Sequence, residues 1–323
     1  MRIIRLTDQP IVSPDSHPSI GANINGPSLI KVPAWVSDSL GAYYLYFSDH
    51  KGNHIRMAYA DDLTGPWTVH PGGVLALADS RFLTEAPEAT AEEIAFIEQC
   101  YIDALGEYEL PNGLLAEITI PHIASPDVRV NNSYRTISMY FHGLEGLGNQ
   151  LTRHATSLDG LTFEVDPPKI DGTYLRGFRH NETEYAIVMP GKILKRTGRP
   201  TEFEEGPNLL PRTARHTAID VVGDQIRLFW TRVGDTPERL LLSTIDARVP
   251  WTEWEASPSV EILRPEFDWE GANEELTPSI RSEAPGRVNQ LRDPAIFVED
   301  SRKYLVYAVA GESGLAIAEL VDL

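Results

Sequence analysis

Two aspartates and one histidine stand at the starts of short apolar segments of this sequence. Asp127 lies in "ASPDV", Asp293 in "LRDPAIF" and His216 in "RHTAI". A carboxylic acid can protonate a leaving group, a carboxylate can activate water, and imidazole titrates near neutral pH. The three residues are far apart in the chain, so acid–base chemistry depends on a fold that brings them together.

Each of these motifs begins a copy of a repeated unit. The unit consists of a short apolar strand, a second strand rich in aromatic or aliphatic residues, a polar turn and a further strand. Its five copies begin at "GPSLIKV", "ASPDV", "TYLRGF", "RHTAI" and "LRDPAIF". Short strands rich in Val, Ile, Tyr and Phe and broken by Gly, Asn and Asp are typical of antiparallel sheet. Five such sheets in series predict an all-β fold, a five-bladed β-propeller.

The two ends of the chain and one internal segment complete this prediction. The fifth unit stops after a third strand at "GLAIAEL", and "RIIRL" at residues 2–6 is a spare strand that could close the last blade. Residues 1–323 are therefore expected to form a single domain. Thr90 and Glu93 form a capping box and Gly106 a stop signal, which predicts one inserted helix over about 90–106. We expect it to cover the propeller flank, with a lid over the site as the alternative.

Composition excludes several classes of protein. A formal net charge of -19 without a basic cluster argues against nucleic-acid binding. The single cysteine, Cys100, cannot form an internal disulfide, and no apolar run suggests a signal peptide or a membrane span. We therefore expect a cytoplasmic protein. The histidines are not spaced as a zinc site, so no metal-ligating residues are predicted.

Propeller topology indicates which side chains can meet. The start of each innermost strand and the turn between strands 2 and 3 of each blade lie on the same face, so ten segments should surround one central depression. A platform for sugar stacking is expected at Trp35, in the loop between the first two strands. The other expected substrate-binding residues are Asn25, Asp49, His50, His142, Arg176, Arg215, Arg232, Arg292 and Glu312.

The motifs "ASPDV" and "LRDPAIF", with the strands "YYLYF" and "YLVYA", resemble the blades of glycoside hydrolase family 43 and its five-bladed relatives, families 32, 68 and 117. The resemblance implies a glycoside hydrolase. In family 43 an Asp of the first blade is the general base, an Asp of the second tunes pKa and orientation, a Glu of the third is the general acid, and a His of the fourth often lies near an ion. Asp127 matches the second-blade Asp and His216 the fourth-blade His.

The sequence departs from the family pattern in two blades. Asn25 stands where the first-blade base is expected, and Tyr174 and Arg176 stand where the third-blade acid is expected. Glu205, in "EEGP", imitates the acid motif but falls on the predicted outer strand of blade 3, where a solvated side chain is expected.

These departures require the chemistry to be assigned again. We expect Asp293 to act as a relocated base, His216 as the acid, as the resemblance to family 117 implies, and Asp127 to hold the pKa of the acid. Glu274 or Glu312 could replace His216. We expect inverting hydrolysis of a plant or algal oligosaccharide. This reaction typically needs an acid and a base about 6.5–9.5 Å apart. No cofactor is required, although a structural calcium ion in the channel is reasonable.

Several alternatives stay open at this point. An Asp beside a Pro often only ends a turn, and His216 could serve as a structural hydrogen-bonding group. The arginines suit an anionic sugar, but they could equally pair with the carboxylates as an ion network. The protein could be a non-catalytic carbohydrate-binding propeller, or a propeller with phosphorylase or lyase chemistry. The oligomeric state is not predicted.

Overall fold

The computed structural model describes residues 1–106 and 108–321, which form five antiparallel four-stranded sheets. In chain order the strands are β1 (Arg2–Arg5), β2 (Asn25–Lys31), β3 (Tyr43–Ser48), β4 (His54–Ala60), β5 (Thr68–Ala76), β6 (Ile123–Asn131), β7 (Thr136–Gly146), β8 (Asn149–Ser157), β9 (Glu164–Ile170), β10 (Arg176–His180), β11 (Thr183–Val188), β12 (Lys192–Arg196), β13 (Phe203–Asn208), β14 (Ala214–Val222), β15 (Gln225–Arg232), β16 (Leu240–Asp246), β17 (Val260–Leu263), β18 (Arg292–Glu299), β19 (Arg302–Ala308) and β20 (Leu315–Val321).

The predicted five-bladed propeller is confirmed. Blades 1 to 4 each use four consecutive strands, starting with β2, β6, β10 and β14 as the innermost strands. Blade 5 has the order β18, β19, β20 and β1 from the centre outwards, so the N-terminal strand closes the ring as predicted. Arg2 pairs with Val321 and Arg5 with Ala318 across that closure. We call the face on which the innermost strands begin the front face, and the opposite one the back face.

The second strand of a blade explains why the aromatic runs are apolar without interruption. Successive side chains of a strand point to opposite sides of its sheet. In β3, Tyr44 and Tyr46 therefore pack into the core between blades 1 and 2, whereas Leu45 and Phe47 pack into the core between blades 1 and 5. Similar apolar cores join the remaining neighbouring blades. Every blade is thus buried on both sides, and no separate hydrophobic centre is needed.

Four of the five innermost strands have an irregularity in their pairing near their first residues. The register shifts within Asn25–Ser28 of β2 and at the corresponding places of β6, β14 and β18. In three of them a proline, which cannot donate a ladder hydrogen bond, follows a residue with positive φ: Gly26 at 58°, Ser125 at 51° and Asp293 at 50°. A bulge bends the strand and redirects its side chains. The X-Pro motifs therefore lie where the chain turns towards the centre.

Two helices lie between blades 1 and 2, where the sequence predicted one. Helix α1 (Ala91–Leu105) has the expected capping box at Thr90 and ends at Gly106. Helix α2 (Gly113–Thr119) was missed because it is only two turns long and has no side-chain cap, so its stability depends on packing. Neither described helix is long and apolar enough to cross a membrane. Short 3₁₀ turns occur at Pro14–Ser16, Pro18–Ile20, Leu77–Asp79, Trp251–Glu253 and Asp268–Glu270.

Ring closure also depends on one buried carboxylate. Arg5 donates from Nε to Glu270 Oε1 at 2.7 Å and from Nη2 to Oε2 at 2.9 Å, while Tyr307 Oη donates to the same carboxylate at 3.0 Å. The Glu270 side chain has no exposed surface. Removing one partner of a buried ion pair leaves a charge without compensation.

We predict that Arg5→Ala lowers the free energy of unfolding by about 3–5 kcal/mol, because Glu270 stays buried without its counter-charge. Urea denaturation of both proteins measures the difference. Arg302→Ala, which removes an exposed partner of Glu319, is the matched control and should leave the midpoint almost unchanged. Equal losses in the two variants would contradict this role of Arg5.

Candidate active site

A pocket of about 290 Å³ opens on the front face. It lies between the starts of the innermost strands and the inserted helices, and its floor contains the ring of His216 and the ring of Tyr174. Its lining includes carboxylates, guanidiniums and imidazoles, the types of group expected for the front depression, together with glycines and uncharged polar residues. The charged and titratable groups that carry the argument are His50, Tyr101, Glu117, Arg215, His216 and Arg281.

The structure brings His216 and Asp293 into direct contact. His216 Nδ1 lies against Asp293 Oδ1, and the Asp293 side chain is completely buried. The other Asp293 oxygen accepts from the backbone N–H of Gly26 at 3.4 Å, so the carboxylate links blades 4, 5 and 1. The carboxylate favours a proton on Nδ1 of the neutral ring, and the His216 side chain lines the pocket. This is a carboxylate-oriented imidazole.

Neutral imidazole is the stable form of His216 in this environment. Burial, followed by the Arg176 and Arg215 guanidiniums, lowers the pKa of His216 well below its ordinary value. The ring also stacks on Tyr174, with centroids 3.7 Å apart. At pH 7 its Nε2 is therefore a proton acceptor. This protonation state does not suit a general acid, the role expected from the sequence.

A column of rings continues from Tyr174 into blade 2. The His142 ring lies 4.2 Å from the Tyr174 ring, and His122 lies 6.0 Å from His142. Burial, and then neighbouring cationic groups, lowers the pKa of His142 well below its ordinary value and that of His122 to about 3. His142 is thus a buried neutral ring behind the pocket. The sequence predicted its presence on this face, but not its depth.

Two of the predicted arginines belong to a buried ion network. Arg292 has no exposed surface and contacts Glu238 at 3.4 Å and Glu312 at 3.2 Å. Arg215 contacts the same Glu238 at 2.9 Å and also donates to two carbonyl groups, those of Ile280 and Ser282. The alternative of an ion network is therefore realised for these two residues. Glu238 was not singled out from the sequence, because it lies two residues before β16 in no recognisable motif.

Glu312 holds the rim of blade 1. It accepts from Asn23 Nδ2 at 2.6 Å and lies 3.7 Å from His50 Nδ1. Burial opposes its ionisation, but His50 and Arg292 hold the pKa of Glu312 well below its usual range. Glu312 is therefore an ionised structural group, which does not favour it as the substitute acid. His50 lines the pocket as predicted and contacts Ser282 Oγ at 3.3 Å through Nε2.

The inserted helices contribute to the pocket itself. Tyr101 of α1 and Glu117 of α2 both line it. Glu117 contacts Lys51 Nζ at 3.2 Å and accepts from Ser282 Oγ at 2.7 Å. Burial, and then the Glu117 carboxylate, raises the pKa of Tyr101 to about 12. The expected flank cover is therefore wrong, and the insertion covers the site, since its two helices reach the front face.

Trp35 and Arg232 are among the expected site residues that do not line the pocket. Trp35 stands in the loop between β2 and β3, which belongs to the back face, and its Nε1 donates to Asn132 Oδ1 at 3.1 Å. The Arg232 guanidinium lies 5.1 Å from the Trp230 ring and donates to Ser259 Oγ at 3.3 Å within blade 4. Neither side chain is therefore placed to contact a sugar bound in the front pocket.

Asp127 lies deeper along its strand than the sequence suggested. Its Oδ2 accepts from Arg129 Nε at 2.9 Å and from the backbone N–H of Gly177 at 3.0 Å, and it lines a cavity of the back face. The reason is the bulge: Asp127 follows Pro126, whereas Asp293 precedes Pro294. The two aspartates thus occupy different levels of the channel.

The remaining expected residues hold the scaffold. Asn25 accepts from Ser48 Oγ at 2.8 Å and donates to Asn23 Oδ1 at 3.2 Å, and Asp49 lies 3.3 Å from Arg56. Two residues discussed as acids lie at the surface. Glu274 accepts from Arg287 at 3.1 Å. Glu205 stands on β13, the outer strand of blade 3, as predicted, and pairs with Lys192 of β12. Arg176 lies in the channel behind the pocket.

The channel carboxylates do not offer a calcium site. In the described residues no three His, Cys, Asp or Glu side chains are grouped to hold a metal ion. Asp127, Asp293 and Glu312 are each bound to a protein partner of their own, whereas Ca²⁺ takes six to eight oxygen ligands. No reaction step is therefore assigned to a metal here.

Solved structures share this architecture. The chain is similar to a thermostable family-43 glycoside hydrolase, with a TM-score of 0.57 and 12% identity over 93% of this chain and 90% of that one. A GH43_1 enzyme from Xanthomonas citri has a TM-score of 0.56 and 14% identity, covering 99% and 92%. CoXyl43, a β-xylosidase/α-arabinofuranosidase from a compost microbial metagenome, has a TM-score of 0.57 and 12% identity, and the match covers 99% of this chain and 96% of that one. The class is thus a five-bladed β-propeller with the fold of family-43 glycoside hydrolases, as the sequence motifs indicated.

Similarity in sequence is more specific. No protein-family model matches the chain. A curated relative, "Uncharacterized protein R118" of Acanthamoeba polyphaga mimivirus, is 34% identical over 324 aligned residues, which cover 92% of this chain and 83% of that protein. The chain belongs to the same family as this mimivirus protein.

The buried ring of His122 generates a prediction about acid stability. Its pKa of about 3 in the folded protein lies below the ordinary value of 6.5, so between these values the unfolded chain binds a proton that the folded protein does not. Its contribution to stability is therefore lost as the pH falls, at about 1.4 kcal/mol per pH unit. His122→Asn should flatten the dependence of the unfolding free energy on pH between pH 6 and 5 by about this amount.

Urea denaturation at several pH values measures this slope. His17→Asn, at a 3₁₀ turn, serves as the control and should keep the slope of the original protein. An unchanged slope in His122→Asn would show that the ring is protonated in the folded state.

Proposed function

We propose that the protein is a glycoside hydrolase whose reaction takes place in the front pocket. The observation that carries the proposal is the close contact of the buried Asp293 carboxylate with Nδ1 of His216, whose side chain lines that pocket. The likeness of the fold to glycoside hydrolases supports the reaction class, because glycoside hydrolysis needs acid–base groups. No cofactor takes part.

In this proposal His216 is the general base and Asp293 a positioning residue. Asp293 has no exposed surface, so it cannot contact the attacking water directly. His216 Nε2 accepts a proton from the water, whose oxygen attacks the anomeric carbon, and Asp293 stabilises the imidazolium that forms. A carboxylate that orients an imidazole in this way also fixes its tautomer. The proposal therefore differs from the expectation from the sequence: the base is His216 of blade 4, which was expected to be the acid, and Asp293 of blade 5 orients it.

The proton donor in this proposal is Glu283. It is half-buried and follows Ser282, a residue of the pocket wall, in the chain; it lies beside the lining, close enough to the lining residue His50 for their charges to interact, and Asn112 of the insertion donates to its Oε1. Burial, and then the Glu312 and Asp49 carboxylates, raises the pKa of Glu283. As the glycosidic C–O bond breaks, Glu283 gives its proton to the leaving oxygen; after turnover the His216 imidazolium releases its proton to solvent and Glu283 regains one. Direct attack of water, without a carboxylate nucleophile, inverts the anomeric centre.

The substrate class in this proposal is a plant or algal oligosaccharide that carries an acidic group. Arg281 lines the pocket, its Nη2 donates to the carbonyl of Arg212 at 2.9 Å, and its buried Nε has no partner in the described part of the chain. Arg215, also in the wall, adds positive charge beside it. A guanidinium with a free donor suits a uronate carboxylate or a sugar sulfate. A related GH43_1 structure contains xylotriose, so acidic xylo-oligosaccharides are suitable first substrates.

A second candidate function is carbohydrate binding without hydrolysis. It is favoured by the ion pairs of Glu117 with Lys51 and of Glu312 with Arg292, which tie down two carboxylates in and below the pocket. A pocket in which Glu283 did not donate a proton would still bind a sugar. Phosphorylase or lyase chemistry would use the same pocket with phosphate, or no second reactant, in place of water.

We predict that His216→Gln abolishes hydrolysis and that Asp293→Asn lowers kcat about 10⁴-fold, since an amide in place of the carboxylate favours the wrong imidazole tautomer. The measurement is reducing-sugar release from neutral, uronic-acid and sulfated oligosaccharides, with anomers resolved by NMR. Glu205→Gln, on the exposed outer strand of blade 3, is the control and should keep full activity.

The outcomes of this experiment separate the candidates. Retained activity in Asp293→Asn would remove the carboxylate-oriented imidazole from the mechanism. Binding of a sugar by the original protein, measured by calorimetry, without any product would favour the carbohydrate-binding propeller. Product that forms only with phosphate, or that contains an unsaturated ring, would favour the phosphorylase or lyase alternative.

Specificity for acidic sugars generates a separate prediction. Arg281→Met should raise KM for a uronic-acid oligosaccharide about tenfold or more, the loss expected for one charge-assisted hydrogen bond, and leave kcat/KM for the neutral analogue nearly unchanged. Arg212→Met is the matched control, because its own side chain is exposed and only its carbonyl contacts Arg281. Equal effects on both substrates would exclude recognition of an anion by Arg281.

A further inference from the structure

A second cavity, of about 660 Å³, lies in the channel towards the back face. The innermost strands of all five blades line it, so it is separate from the front pocket and built by the scaffold. Its charged lining residues are Lys31, Asp127, Arg129 and Arg176. With Glu299, which pairs with Lys31, these groups carry three positive and two negative charges, an excess of one positive charge in a chain whose formal net charge is -19.

Within the described residues, Arg176 is the cation of this cavity that forms no ion pair, although the Asp127 carboxylate, which pairs with Arg129, also acts on it electrostatically. Lys31 pairs with Glu299, and Arg129 pairs with Asp127. The Arg176 side chain is buried, with 4% of its surface exposed, and its Nη1 donates to the carbonyl of Pro126 at 2.8 Å. Its Nε and Nη2 are buried without a hydrogen-bond partner among the described residues. A buried guanidinium with two free donors is costly unless a ligand binds them.

Two further polar atoms in the same layer lack partners. Ser125, whose carbonyl lies 3.4 Å from Arg176 Nη1, has a buried hydroxyl without a partner in the described chain. His142 pairs with Ala124 across β6 and β7, and its buried Nδ1 also has no hydrogen-bond partner among the described residues. Water could satisfy the hydroxyl and the imidazole, but it cannot neutralise Arg176. A negative charge is therefore the requirement of Arg176 alone, and the hydroxyl of Ser125 is a free donor beside it.

We propose that this channel binds a small inorganic anion, held by Nε and Nη2 of Arg176 with Ser125 Oγ at its side. The front pocket and its His216 are not part of the site, but the Arg176 guanidinium acts on His216 electrostatically, so a bound anion would also affect the base of the proposed hydrolase reaction. The anion would neutralise the Arg176 guanidinium and join blades 2 and 3, to which Ser125 and Arg176 belong. A halide and a small oxyanion share this chemistry, and the experiment distinguishes them.

The test is thermal unfolding in a HEPES buffer without inorganic anions, followed by titration with sodium bromide, sodium phosphate or sodium gluconate at matched ionic strength. A ligand that binds only the folded state raises Tm in a saturable way. We expect bromide, phosphate or both to raise Tm in this way, and bulky gluconate to give only the effect of ionic strength. A response to bromide alone assigns a halide, and a response to phosphate alone assigns an oxyanion.

Arg176→Met should lose the saturable response, while Arg302→Met, at an exposed ion pair, should keep it. Should Arg176→Met not fold, crystals of the original protein grown with bromide provide a second measurement, with an anomalous peak expected against the Arg176 guanidinium. Identical Tm responses to all three salts would overturn the proposal. So would a saturable response that persists in Arg176→Met, or a channel without a bromide peak in a protein that responds to bromide.

Discussion

The front face depends on one completely buried guanidinium, that of Arg292. It lies between Glu238 of the segment before β16 and Glu312 of the turn after β19, and it also donates to Gln290 at 2.9 Å. A buried charge is tolerated only when its partners are in place. Because Glu312 in turn binds Asn23, the same charge network reaches from blade 4 through blade 5 into blade 1. The positions of the groups around the pocket therefore depend on this network as much as on apolar packing.

The same network separates structural from chemical groups. The network includes Arg215, Arg292 and Glu312 as paired ions. These ion pairs position the pocket wall, and their members are not free to react. Asp293 is bound in a different way, because its partner is an imidazole that itself reaches the pocket. A structural residue, Arg292, and a residue of the reaction site, Asp293, are neighbours in the same bulge. The positive φ of Asp293 directs their two side chains to different partners. The strained backbone is thus found where the site is built.

Much of the fold could be predicted because its signals are local. The X-Pro motifs, the aromatic second strands and the spare "RIIRL" segment each identify a strand by its own composition, and the capping box at Thr90 identifies α1. The front-face position of His50, Arg215 and His216 followed from topology alone. Helix α2 and Glu117 could not be found in this way, because a helix of two turns has no strong signal of its own and depends on the surface beneath it.

The sequence by itself determined the number of blades, the closure of the ring and the set of polar residues near the channel, since strand periodicity and chain order are local properties. Only the tertiary structure decided which of these residues react, pair or lie elsewhere. Asp127 and Asp293 look equivalent as motifs, but a bulge shifts one relative to the other, so one contacts Arg129 and the other His216. Whether a charge is free or neutralised depends on partners distant in the chain, such as Glu238 for Arg292, and no local pattern encodes that distance.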